Sequence, residues 1–134
     1  MREIKFRGKT RNGKWVYGYA AKFAHGSVPV ILEDTEDGIT PRKIIPDTVG
    51  QFTGLCDYDR TEIFEGDIVK CSYSRPVDIG SFDGPKEQEE TVIGAVEYRN
   101  GCFFIGVYDI GSFDIDETEV IGNIYDNPEL LKTE

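Results

Sequence analysis

Residues 49–70 read VGQFTGLCDYDRTEIFEGDIVK, and the rest of the chain is arranged around them. Two apolar runs, Val49 to Leu55 and Ile63 to Val69, are separated by a polar turn. Gly50, Gly54 and Gly66 punctuate them where the backbone needs a freedom that only glycine has. The pattern predicts strand, turn, strand. Asp57 and Asp59 open the turn like a calcium loop, but Glu62 stands where such a loop needs glycine, and Ile68 where it needs a bidentate glutamate. The stretch reads as architecture.

Working outward, Arg2 to Gly8 alternates polar and apolar residues, Asn12-Gly13 signals a hairpin, and Lys14 to Ala21 sets Trp15, Tyr17 and Tyr19 on one face. Val28 to Leu32 predicts another strand, followed by an acidic loop from Glu33 to Gly38, and Ile44-Ile45 before Pro46 reads as the anchor of a connector. Beyond residue 70 the strand runs on to Tyr73, and Arg75 to Glu90 reads as a mobile loop. Thr91 to Tyr98 and Cys102 to Tyr108 flank a second hairpin turn, Asn100-Gly101, and Glu119 to Ile124 is the last strand. Asp126-Asn127-Pro128-Glu129 then predicts a short helix. The class is mainly β. A β-rich lobe over residues 1–60 precedes a small five-stranded barrel over 61–134, the two forming one compact unit or two lobes.

The 134 residues carry 25 acidic and 15 basic side chains, a net charge of −10. That charge repels polyphosphate and argues against sequence-independent nucleic-acid binding. The locally basic region is the N-terminal hairpin, with Arg2, Lys5, Arg7, Lys9, Arg11 and Lys14 beside Trp15, Tyr17 and Tyr19. No signal-peptide pattern is read at the N-terminus, and no apolar run approaches the roughly 20 residues of a membrane-spanning helix. Three irregularly spaced cysteines, Cys56, Cys71 and Cys102, suit neither a disulfide framework nor a metal site. A soluble, cytoplasmic protein is expected.

Enzyme motifs are missing: there is no Walker loop, no G-x-G-x-x-G and no G-x-S-x-G. The single histidine, His25, stands beside Gly26 in an expected turn, and no catalytic, cofactor or metal residues are assigned. The acids Asp109, Asp114, Asp116, Glu117 and Glu119 read as a solvated rim. A hexapeptide repeats identically, as Asp78-Ile79-Gly80-Ser81-Phe82-Asp83 and as Asp109-Ile110-Gly111-Ser112-Phe113-Asp114. Two copies cannot build a solenoid, so the repeat reads as a pair of Asp- and Gly-containing turns anchored by phenylalanine. The candidate partner contacts are Phe82, Phe113, Trp15, Tyr17 and Tyr19.

The chain resembles the YopX family of phage and prophage proteins. The resemblance is carried by Arg2-Glu3-Ile4-Lys5-Phe6-Arg7, by Gly50-Gln51-Phe52-Thr53-Gly54-Leu55, by Glu62-Ile63-Phe64-Glu65-Gly66-Asp67-Ile68-Val69, and by Val120 to Leu130. The segments stand in family order and span almost the whole chain. The departure is Tyr58-Asp59-Arg60, where the family usually has Asn-Gly or a similar turn. The resemblance implies a mainly β protein whose second half is an SH3-like barrel, encoded by a mobile element, acting in the bacterial cytoplasm and assembling as a homo-oligomer. It implies no activity and no catalytic residues. The expected function is that of a non-enzymatic accessory protein, a binding or regulatory module for a host or phage protein. The alternative is a nucleic-acid-related role, either weak single-strand binding by the N-terminal hairpin or acidic mimicry of nucleic acid.

Overall fold

Strand-forming runs separated by glycine-bearing turns leave each strand a face to bury, and the chain buries them in two sheets. The computed structural model describes residues 3–21, 29–77, 80, 84 and 86–131. The first sheet is built from β1 (Phe6–Lys9), β2 (Trp15–Ala21), β3 (Val30–Thr35), β4 (Gly38–Lys43), β5 (Gly50–Cys56) and β6 (Glu62–Phe64), in the order β4-β3-β2-β1-β5-β6. The second uses β7 (Asp67–Val77), β8 (Lys86–Arg99), β9 (Cys102–Ile105), β10 (Tyr108–Asp109) and β11 (Thr118–Asn123), in the order β10-β9-β8-β7-β11. All pairings are antiparallel. The mainly β class stands. The barrel does not close: β10 and β11 end the second sheet as separate edges with no ladder between them.

Each sheet has its own apolar centre. Val16, Ile31 and Ile44 pack with Phe6 and Val49 on one face of the first sheet. Ile63, Val69, Cys71, Val96, Phe103, Ile105 and Ile110 form the second cluster, with Val92, Phe113 and Val120 against it. Ile63 belongs by pairing to the first sheet and by packing to the second core. The run from Glu62 to Tyr73 is therefore two strands and not one, broken at Glu65 and Gly66.

Gly66 makes the break. Its φ is +92°, its N–H donates to the Val96 carbonyl and its carbonyl accepts from the Ile124 N–H. A Cβ there would come within 3.1 Å of the Tyr125 ring. Gly50 answers a different need, since a Cβ there would stand 2.4 Å from the Glu65 carbonyl oxygen.

Three further expectations are corrected. The residues 38–43 form β4, which the proline at Pro41 had hidden; on a sheet edge its missing N–H costs no ladder bond. Glu33 and Asp34 lie in β3, so the acidic turn shrinks to Glu36 and Asp37. Residues 75–77 and 86–90 belong to the β7–β8 ladder, with Val77 opposite Lys86, so the stretch from Arg75 to Glu90 is mainly strand in its described part. At the C-terminus, Pro128–Leu131 forms a single 3-10 turn.

The core assignment is open to measurement. Ile68, completely enclosed on β7, should cost about 2–5 kcal/mol when changed to alanine. Ile39→Ala, at a residue 59% exposed on β4, should stay within about 0.5 kcal/mol, both read from urea unfolding midpoints.

Candidate functional site

Alternation from Lys5 through β1 puts Lys5, Arg7 and Lys9 on the face opposite the Val16 core, and each cation meets an acid far along the chain. Lys5 Nζ stands 2.6 and 2.8 Å from the two Glu62 oxygens. Arg7 Nη2 stands 2.7 Å from Asp67 Oδ1. Lys9 Nζ pairs with Asp126. The three contacts form a ladder that joins the β1 region to β6, to the start of β7 and to the turn after β11.

Aromatic rings interleave with the ladder. The Arg7 guanidinium lies 4.6 Å from the Trp15 ring centre and 5.0 Å from that of Phe64, and Lys5 Nζ lies 5.2 Å from Phe52. Phe64 in turn contacts Phe52 and Tyr17, and Trp15 contacts Tyr125. Arg7 is only 6% exposed. Its Nε has no hydrogen-bond acceptor among the described residues, and Nη2 meets Asp67 as an ion pair without hydrogen-bond alignment. The ring faces, electron-rich above their planes, take the place of the missing acceptor.

The acids in the ladder respond in opposite directions. Burial pushes the Asp67 carboxyl up, against the pull of Arg7 and of the Phe64 N–H, which donates to Oδ2 at 2.7 Å. Asp126 is held down to about 2 by hydrogen bonds, first from Lys9, then from Trp15 Nε1 and Asn123 Nδ2. Burial works against the Lys5 ammonium, yet Glu62 and Glu3 outweigh it and its pKa stands above the ordinary value.

Of the candidate contacts, Tyr17 and Tyr19 are open to solvent, at 45% and 62% exposure. Trp15 is half-buried under Arg7 and Lys9. Phe113 is also half-buried, in contact with Tyr73 and Tyr108 and packed against the second core. In its copy of the hexapeptide, Asp109 accepts from the Gly111 N–H and the Ser112 hydroxyl donates to the Asp109 carbonyl. That copy is a capped turn with an aromatic anchor. Phe82, His25 and the first copy apart from Gly80 lie outside the described residues.

The turn that imitates a calcium loop has another use for its acid. Asp57 Oδ1 accepts from the Asp59 and Thr61 N–H groups, and Oδ2 from the Val120 N–H, all at 2.9 Å. The carboxylate ties the turn to β11, and Arg60 takes a left-handed φ of +65° to close it. Among the described residues no group of three or more His, Cys, Asp or Glu could hold a metal ion. The ladder itself escaped sequence reading. Its only local signal was three cations at alternate positions, which says nothing about acids 57 to 117 residues away.

These features define a class, a two-sheet antiparallel β protein whose cationic N-terminal strand is neutralised internally. The chain belongs to the YopX family, whose model, described as YopX protein, matches residues 5–132. A solved structure of protein EF1440 from Enterococcus faecalis is similar, with 25% identity and a TM-score of 0.57, covering 98% of this chain and 100% of that one. No curated protein matches. No helix among the described residues is long and apolar enough to cross a membrane.

Asp67→Asn leaves a buried guanidinium without its counter-charge and should destabilise the fold by about 3–5 kcal/mol; pairing it with Arg7→Met should recover part of that loss. Asp126 has a depressed folded pKa, so its contribution is complete above its ordinary value and disappears as pH falls from near 4 to about 2. Denaturant unfolding across that range should show a shallower acid slope in Asp126→Asn than in the parent.

Proposed function

We propose that this YopX-family chain is a non-enzymatic accessory module of a phage or prophage, acting in the bacterial cytoplasm by binding a host or phage protein. The observation that carries this reading is the internal pairing of Lys5, Arg7 and Lys9 with Glu62, Asp67 and Asp126. A single-strand binding sheet combines stacking aromatics with a positive groove, and here Lys5, Arg7 and Lys9 are already paired with acids, leaving Arg11 and Lys14 as exposed cations at the hairpin turn. Tyr17 and Tyr19 remain as exposed rings on a sheet face, in a protein whose net charge is −10. Exposed tyrosine suits a protein partner, because it offers large rigid contact area with a polar tip. Acidic mimicry of nucleic acid is the second reading, favoured by that net charge.

The protein used as bait in lysate from a host bacterium should retain a saturable protein partner, and Tyr17→Ala with Tyr19→Ala should weaken its retention by about tenfold or more. Labelled single-stranded DNA should show no salt-dependent binding. A steep fall of DNA affinity with salt, together with no retained protein, would replace the proposal with direct nucleic-acid binding. Retention of a DNA-binding protein that DNA displaces would favour mimicry.

A further inference from the structure

The β7–β8 ladder outruns its neighbours. β8 pairs with β7 along its length from Lys86 to Ala95, whereas β9 pairs with β8 only from Val96 onward. Among the described residues no strand lies along the other side of β8 before Val96. A two-residue turn at Asn100-Gly101, with φ of +52° and +84°, makes Arg99 and Cys102 a hydrogen-bonded pair. Antiparallel alternation then aims the backbone groups of every second residue of β8 toward the β9 side. Along the uncovered length these belong to Glu87, Glu89, Thr91, Ile93 and, beside the end of β9, Ala95.

The chemistry of this edge selects its occupant. Glu87, Glu89 and Thr91 are exposed, and Ile93 is 49% exposed. A second copy of the same edge, laid antiparallel over its full length, would set Glu87 against Ile93 and Glu89 against Thr91, which leaves every glutamate without a counter-charge and every isoleucine without an apolar partner. A strand with lysine or arginine opposite the glutamates and an apolar residue opposite Ile93 satisfies both ends. Resting on the reading of the chain as a protein-binding module, we propose that the outer edge of β8, from Glu87 to Ile93, accepts a basic extended segment of a partner protein as an added antiparallel strand.

The probe is the peptide acetyl-Ile-Thr-Val-Thr-Lys-Thr-Lys-Thr-amide, titrated into the full chain and followed by NMR. Binding should protect the amides of Glu87, Glu89, Thr91 and Ile93 from exchange. Thr91→Pro removes an outward N–H while sparing the bonds to β7, and should weaken binding by about tenfold. Glu87→Lys with Glu89→Lys should abolish it. The peptide N-methylated at isoleucine, valine and the lysines, tested on the unaltered protein, should fail to bind, which keeps the test intact if Thr91→Pro misfolds. Absent binding, or binding that survives both N-methylation and Thr91→Pro, overturns the proposal. If the bait still retains a partner through Tyr17 and Tyr19 in that case, the binding-module reading stands and only strand addition falls.

Discussion

The buried contact between Arg7 and Asp67 is the constraint on which the rest of the structure depends. A guanidinium 6% exposed requires a counter-charge, and the one available sits at the first residue of β7. Asp67 also accepts the Phe64 N–H, so the same carboxylate that neutralises β1 shapes the two-residue turn between the sheets. Arg7 is thereby placed between Trp15 and Phe64, and the ring faces complete an environment that lysine, with no flat delocalised charge, would fill poorly.

The neighbouring contacts extend that arrangement in graded exposure. Lys5 with Glu62 and Lys9 with Asp126 are more open to water than the central pair, so they contribute less individually and respond more to salt. Tyr125 links the same region to the first sheet a second time, donating its hydroxyl to the Asp47 carbonyl while its ring meets Trp15. The absence of a side chain at Gly66 lets that ring approach. Architecture and charge neutralisation are here one problem with one solution, and of the cations that make the hairpin look basic in sequence, Lys5, Arg7 and Lys9 are paired with acids.

That solution also shapes the surface left for partners. With Lys5, Arg7 and Lys9 occupied, the exposed tyrosines of β2 lie beside cations that already have counter-charges, and acids gather on the β3–β4 hairpin, on β8 and on the turns before β11. The long ribbon of β7 and β8 is the part of the fold least enclosed by its neighbours, since β9 and β11 both stop short of it.

Much of the fold was legible in short-range pattern. Alternation predicted the strands, Asn100-Gly101 its hairpin, and the composition a mainly β chain with an acidic surface; the matched segments pointed to the YopX family. Less legible were β4, masked by Pro41, and the charged first turns of β8, whose glutamates are poor strand formers held in place only by the ladder to β7. The closed barrel failed because closure depends on strand lengths and registers that no local pattern contains. The sequence by itself determined most of the strands, where the turns need glycine, and that cations alternate with apolar residues from Lys5 to Lys9. Only the tertiary structure decided that those cations are neutralised by Glu62, Asp67 and Asp126, because that pairing joins residues far apart in the chain, and electrostatic partners are set by distance in space.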